Sequence, residues 1–286
     1  MVTEIKITNK TTGDEAIIGG DSLSFILDSI DFDEPSVSLE SYELPYQIGK
    51  SITGVTVGTR KPSISGYVVA DMTDVNTSGM SWSDYFDKSR EIIEEKKKEL
   101  NKLISIYHDL YITAAGYMLD ARPTSPVKYS KTEKQNNEVL CYFTINLECF
   151  NPLFRKLTYN LHMESPNTSY IIDNDGESEI GLTFLCEFTG TVVNPKFKNV
   201  TTGKYIEVQK TFSAGDTIYI YTDIGDENVM LVGTPWESLV GYVSISSDYI
   251  KLPIGENSLQ YTAKSGASNM NVYVSHTPRY FNIKEM

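Results

Sequence analysis

Reactive groups are what this 286-residue chain has least of. It contains three histidines and three cysteines. His108, His162 and His276 stand far apart, and no Cys-x-x-Cys, His-Glu-x-x-His, Gly-x-Ser-x-Gly or Gly-x-Gly-x-x-Gly pattern occurs. Structural zinc sites, nucleophile elbows and dinucleotide loops depend on such groups at short spacing, so the sequence points to none of them. Cys141 and Cys149 fall on one expected strand, roughly 27 Å apart along it, which is beyond disulfide reach. With an odd cysteine count, the thiols are expected to be free and largely buried.

Positive charge is also short. Twenty-five Lys and Arg face thirty-eight Asp and Glu, a formal net charge of −13. Nucleic-acid surfaces gain affinity by neutralising phosphates, and anionic membranes attract cations, so neither sequence-specific nucleic-acid binding nor membrane binding is expected. No apolar run approaches the ~20 residues of a membrane-spanning helix. The opening MVTEIKITNKTTGDE has neither the basic nor the apolar region of a secretory signal. Synthesis and folding in a cytoplasm are the expectation. Tryptophan is scarce, with two residues against nineteen tyrosines. Tyrosine suits half-buried strand faces and interfaces.

Two partial motifs dissolve on inspection. Gly49-Lys50-Ser51 resembles the tail of a phosphate-binding loop, but Leu44 stands where its first glycine belongs and a strand follows. The acidic run Asp28 to Glu34 lacks the Gly turn and terminal bidentate Glu of a calcium loop, and reads as a solvated loop.

What the chain does have is strand patterning. Short strands and turns fill residues 1–70, with strands expected around 52–58 and 62–70. One helix is expected at about 81–108. Ser81-Trp-Ser-Asp84 fits a capping box, and Phe86, Ile93, Leu100 and Tyr107 repeat at seven-residue spacing. It reads as a surface helix laid across a sheet rather than a coiled coil. A polar, mobile loop is expected from Arg122 to Asn137. Next comes the clearest strand, with Cys141, Phe143, Ile145, Leu147 and Cys149 on one face. A boundary at about 151–157 divides residues 1–155 from 156–286. The second part reads as a β-sandwich, with strands near 169–172, 182–189, 204–209, 216–222, 228–232, 240–245, 258–262 and 270–275. Asn9-Lys-Thr-Thr-Gly13 and Asn199-Val-Thr-Thr-Gly203 share a turn chemistry, as does Asp173-Asn174-Asp175-Gly176. Gly203 to Asp223 reads as a hairpin turning at Ser213-Ala-Gly215-Asp216, with no nucleophile, base or metal cluster at its turn.

The order of these segments resembles the distal tail proteins of long-tailed bacteriophages. The carriers in the first half are GKSITGVTVGTRKPSISGYVVA, with Gly49, Gly58, Arg60 and Gly66, then the single helix, then CYFTINLECFNPLF with Pro152. In the second half they are IDNDGESEIGLTFLCEFTGTVVNPKFKNVTTGKYIEV, with Asn174, Gly176, Pro195 and Gly203. FSAGDTIYIYTD, with Gly215 and Asp216, and SDYIKLPIGENSLQYTA, with Gly255 and Asn257, complete the series. The acidic insertion at 28–34 and the loop at 122–137 have no counterpart in that pattern.

The resemblance implies a mainly β protein: an N-terminal β-barrel with one flanking helix, and a galectin-like or carbohydrate-module-like C-terminal sandwich. It further implies a non-enzymatic, cofactor-free hub at the virion tail tip. Six copies would form a ring through the N-terminal domains, joining the tail tube protein to the tail-tip lever and receptor-binding proteins. In that setting the hairpin at Gly215-Asp216 would be scaffold. The alternative is a carbohydrate-binding module for cell-wall glycans, stacking sugars on Trp236, Tyr242 and Tyr249.

Overall fold

The computed structural model describes residues 2–283 except Gln47, Asp74, Asn76, Asn136, Asn137 and Leu157. The chain forms two compact units, Met1–Phe154 with Phe281–Met286, and Arg155–Tyr280. A two-residue strand, β12 (Phe154–Arg155), spans the division.

In the first unit the strands are β1 (Glu4–Asn9), β2 (Glu15–Gly19), β3 (Phe25–Asp31), β4 (Val37–Tyr42), β5 (Ser51–Val57), β6 (Ser63–Val69), β7 (Leu110–Ala114), β8 (Tyr117–Pro123), β9 (Lys128–Tyr129), β10 (Glu133–Gln135) and β11 (Glu138–Glu148). Seven of them run in the order β2-β1-β7-β8-β11-β6-β3. Edge strands β2 and β3 come together where Gly19 leaves no room for a side chain; a Cβ there would lie 2.9 Å from that of Leu27. Strict alternation fills the interior. Ile5, Ile7, Ile64, Val68, Leu119, Phe143, Ile145 and Leu147 are all buried, each side chain stabilising by about 2 kcal/mol.

Helix α1 (Trp82–Leu103) lies against this unit's β11, β6 and β2, as a surface helix laid on a sheet. Its capping box is present: Ser81 Oγ accepts from Asp84 N at 3.2 Å, and Asp84 Oδ2 accepts from Ser81 N at 3.3 Å. Ile93 and Leu100 are buried as their spacing predicts, but the helix stops five residues before 108. Ile104 leaves helical geometry (φ −91°, ψ 61°), and Asn9 Nδ2 donates to the Leu103 carbonyl at 2.9 Å, ending the ladder. Tyr107 is therefore outside the helix and exposed.

Two other expectations change in this unit. The acidic run does not begin as a loop. β3 continues through Asp28 to Asp31, with a register shift between Leu27 and Ser29 that leaves Asp28 as a bulge. The polar stretch from Arg122 contains β9 and β10, both paired with β11. Its end at Asn137 lies outside the described residues, as does Leu157 in the boundary segment. Hydrogen bonding to a strong neighbouring strand outweighs the low apolar content that suggests a loop.

The second unit holds β13 (Tyr159–Met163), β14 (Tyr170–Asn174), β15 (Ile180–Gly181), β16 (Thr183–Phe188), β17 (Val192–Asn199), β18 (Tyr205–Glu207), β19 (Thr211–Phe212), β20 (Thr217–Tyr221), β21 (Asn228–Leu231), β22 (Glu237–Ser238), β23 (Lys251–Leu252), β24 (Gly255–Ser265), β25 (Met270–His276) and β26 (Arg279–Tyr280). One sheet runs β13-β25-β16-β20-β21-β22 and the other β14-β24-β17-β18, with β19 also on β17. Phe184 meets Phe197 at 5.0 Å and Phe188 stacks on Phe212 at 4.4 Å, so the two sheets close a β-sandwich over one core.

The supposed hairpin is not one. β18 and β19 belong to one sheet and β20 to the other, so Ser213–Asp216 is a crossing between sheets. Gly215 N donates to the Phe188 carbonyl at 2.8 Å and Phe188 N to that of Asp216 at 3.0 Å, fastening the crossing to the end of β16. Residues 240–245 carry a single 3-10 turn, Val240–Tyr242, in place of a strand. Central strand β17 is hidden in the sequence by Pro195, which has no N–H to donate. Asn194, at φ 50°, stands out of the ladder just before it: Val193 pairs Ser265 and Pro195 pairs Ala263 with the register unbroken, and Asn194 N donates instead to the Lys210 carbonyl at 3.1 Å.

Candidate functional site

In each unit a group of buried polar side chains holds main chain. In the first unit, fully buried Arg60 lies between β5 and β6. Nε donates to the Pro152 carbonyl at 2.8 Å, and Nη1 to those of Asp33 (2.6 Å) and Phe32 (3.3 Å). Nη2 donates to the Phe281 carbonyl, and the guanidinium lies 4.6 Å from the centroid of the Phe154 ring. Burial lowers the guanidinium's pKa, opposed by the Cys149, Asp33 and Glu34 charges. A planar five-donor fork can reach carbonyls in several directions, which an ammonium cannot. The acidic segment is thereby drawn onto a cation through its backbone, with Asp33 at φ 53°.

In the second unit three asparagines, Asn174, Asn199 and Asn257, hold one segment. Their Nδ2 groups donate to the carbonyls of Leu252 (3.0 Å), Lys251 (3.1 Å) and Pro253 (2.9 Å). Asn199 Nδ2 also reaches Asn257 Oδ1 at 3.2 Å. Asn174 Oδ1 accepts from Gly176 N at 3.2 Å, and Gly176 must lack a Cβ because one would lie 2.8 Å from the Arg279 carbonyl oxygen. Gly255, at φ 89°, starts the strand that carries Asn257.

Asn199 also makes the turn its motif implies. Its Oδ1 accepts from Thr201 N (3.0 Å) and Thr202 N (3.3 Å), and Gly203 sits at φ 76°. Asn9 does the same with Thr11 and Thr12, and Gly13 sits at φ 75°. One device thus serves both units. The turn chemistry of Asn199 was legible, but its burial against Lys251 and Asn257 was not.

The remaining motif residues are close-packing or turn positions. A Cβ at Gly66 would lie 2.3 Å from the Ile26 carbonyl oxygen, and one at Gly58 would lie 2.3 Å from Ser36 Oγ. Gly49 (φ 88°) is a turn residue in open space. Asp216 Oδ2 accepts from Ser213 N at 2.8 Å.

All three cysteines are free and buried, and burial pushes the Cys149 thiol up to about 12. His276 is buried, stacked on Tyr159 at 5.2 Å, and its pKa is lowered by burial. Among the described residues no three His, Cys, Asp or Glu side chains are placed to hold a metal ion. Among the described residues no helix is long and apolar enough to cross a membrane.

The three candidate sugar-stacking residues have different settings. Trp236 is 47% exposed and stacks on Tyr219 at 5.5 Å, which stacks in turn on Tyr221 at 5.8 Å. Tyr242 lies under Lys210 Nζ at 4.8 Å, and Tyr249 packs against the sandwich core. No ring contact joins the three among the described residues.

The Arg60 and asparagine clusters both hold the protein's own main chain. Residues 175–280 match the model of the siphovirus-type tail component, C-terminal domain. The sequence likeness covers that stretch, and a likeness of fold covers nearly the whole chain. Its fold is shared with the crystal structure of the Dit protein of SPP1, described as a paradigm of the hub adsorption apparatus in phages infecting Gram-positive bacteria. The TM-score is 0.67 at 16% identity, covering 96% of this chain and 98% of that one. A chain of the phage p2 baseplate in its activated conformation with Sr aligns at TM-score 0.46 and 8% identity, again over 96% of this chain and 98% of that one. No curated protein matches the sequence.

Proposed function

We propose that six copies of this protein close into a ring through their first units, forming the hub that joins the tail tube to the tail-tip lever and receptor-binding proteins. The carrying observation is the family match at 175–280 together with a whole-chain fold shared with a protein described as a hub. On this reading the protein has no enzymatic activity and no cofactor. It is made in the bacterial cytoplasm and resides at the virion tail tip. Gly58, Arg60 and Gly66 in one domain, and Asn174, Gly176, Asn199 and Asn257 in the other, keep each domain rigid enough to serve as a building block. The test is light scattering and class-averaged electron microscopy of purified protein. A sixfold ring is expected, and a monomer persisting through high micromolar concentration overturns the reading.

The Trp236–Tyr219–Tyr221 ladder, exposed at its Trp236 end, favours a second reading, glycan binding by the sandwich. A glycan array should then give signals that Trp236→Ala abolishes; a blank array removes it.

A further inference from the structure

At one end of the six-stranded sheet of the sandwich, the outer face closes into a polar pocket. Along β20, Ile218 and Ile220 are in the core, so Tyr219 and Tyr221 project outward. Tyr221 pairs Thr183, which in turn pairs Ser275, and residues opposite each other in a ladder share a face. All three line a pocket of about 160 Å³ together with His276, Arg279, Arg155, Asp223 and Asp226. Every residue lining it belongs to the second unit.

Two buried nitrogens at this pocket have no partner in the protein. His276 is only 5% exposed, and its Nε2 lies 3.0 Å from the Asp173 carbonyl. A carbonyl only accepts, so Nε2 carries the hydrogen, and burial, which lowers the ring's pKa, keeps the imidazole neutral. Nδ1 is then a buried acceptor that no group among the described residues meets. Arg279 Nη2 donates to Asp223 Oδ2, while the buried Nε of the same guanidinium has no acceptor. Buried polar atoms left unmet are costly, so a donor for Nδ1 and an acceptor for Nε are what this pocket calls for.

The chemistry narrows the occupant. Two arginines face two aspartates, so the pocket carries no net charge and does not favour an anion. A hydroxyl donates, as Nδ1 requires, and accepts, as Nε requires, and the Thr183 and Ser275 hydroxyls add partners of the same kind. The space falls short of the roughly 300–1,000 Å³ of pockets for drug-sized ligands, so it takes one unit of a longer molecule. From the pocket, Tyr221 leads into the stacked rings of Tyr219, at 5.8 Å, and then Trp236, at 5.5 Å. Such rings present apolar surface beside polar tips, which suits a ligand with both. We propose that a neutral glycan binds here, with the hydroxyls of its terminal hexopyranose on His276 Nδ1 and Arg279 Nε and its next units along Tyr219 to Trp236. The proposal rests on the glycan reading of the sandwich and gives it a sugar class and an end point.

Two experiments on the full chain test it. Saturation-transfer NMR with the methyl glycosides of glucose, galactose and N-acetylglucosamine probes the pocket, and an array of neutral and acidic glycans probes the whole site. At least one methyl glycoside should give a signal, and the array hits should be neutral chains. His276→Gln keeps a donor for the Asp173 carbonyl and loses the Nδ1 acceptor, and Ser275→Tyr fills the pocket from the outer face of the sheet. Each should abolish the methyl glycoside signal and weaken the array hits about tenfold, the loss expected for one hydrogen bond. Ser275 is half-buried on the outer face, so unchanged melting of that variant separates lost binding from lost folding. Trp236→Ala should weaken the array hits and leave the methyl glycoside signal in place. Hits lost in Trp236→Ala but unchanged in His276→Gln and Ser275→Tyr overturn the pocket and leave the glycan reading standing. Hits confined to acidic chains overturn the proposal as well. A blank array with no methyl glycoside signal, the result for a pocket that holds only water, overturns both readings.

Discussion

Replacing Arg60 by Met retains most of the side-chain volume and removes the fork. The buried guanidinium makes four hydrogen bonds to main-chain carbonyls, those of Phe32, Asp33, Pro152 and Phe281. Hydrogen bonds from a charged donor contribute about 1.5–3 kcal/mol each, so simple addition gives about 6–12 kcal/mol. That sum is too large. Water can reach the carbonyl of exposed Asp33, and Met no longer has to desolvate a charge. A loss of about 3–5 kcal/mol follows, which for a unit of this size lowers the melting temperature by roughly 10 °C. Arg60→Lys keeps the charge but cannot reach four carbonyls in different directions, and should lose about 2–3 kcal/mol. Each unit has one tryptophan, Trp82 in the first and Trp236 in the second, so Trp82→Phe and Trp236→Phe backgrounds report the units separately. The first unit should melt earlier and the second should not change. A loss below about 1 kcal/mol in Arg60→Met would show that the carbonyls are not held by this side chain.

Further outcomes follow from the same structure. Asn199→Ala leaves Thr201 N, Thr202 N and the Lys251 carbonyl without their partner and should cost about 2–3 kcal/mol in the second unit, read by the Trp236 signal in urea. Ser81→Ala removes half of the capping box and should cost about 1 kcal/mol, read by thermal melting of the first unit. His276 has its folded pKa lowered from 6.5, so its contribution is present above that pH and lost as pH falls and the unfolded state takes up the proton first. The second unit should weaken below about pH 6.5, and His276→Gln should flatten that slope. Cys149 runs the other way: its raised pKa makes stability fall as pH climbs from the ordinary thiol range toward about 12, and thiol reagents should label it only after unfolding.

How much of this was legible varies with the range of the interaction. The alternating strand Cys141 to Cys149, the capping box at Ser81 and the two Asn-x-Thr-Thr-Gly turns are local patterns, and each appears as read. The Gly203–Asp223 stretch misled because alternation shows that strands exist without showing which sheet receives them. β17 was invisible because Pro195 ordinarily argues against a central strand, and the left-handed Asn194 before it leaves no composition signal. Helix α1 ended early for a reason 94 positions away, the Asn9 amide on the Leu103 carbonyl. Arg60 and Asn257 could be singled out in the sequence as motif positions. Their partners, carbonyls carried by unremarkable residues, could not.

Phe281 follows the second unit in the chain, yet its carbonyl belongs to the Arg60 cluster of the first. The sandwich is thus an insertion that splits its host. On the ribosome, Arg60 emerges more than two hundred residues before that last acceptor. Completion of the host body therefore waits until the inserted module has been translated.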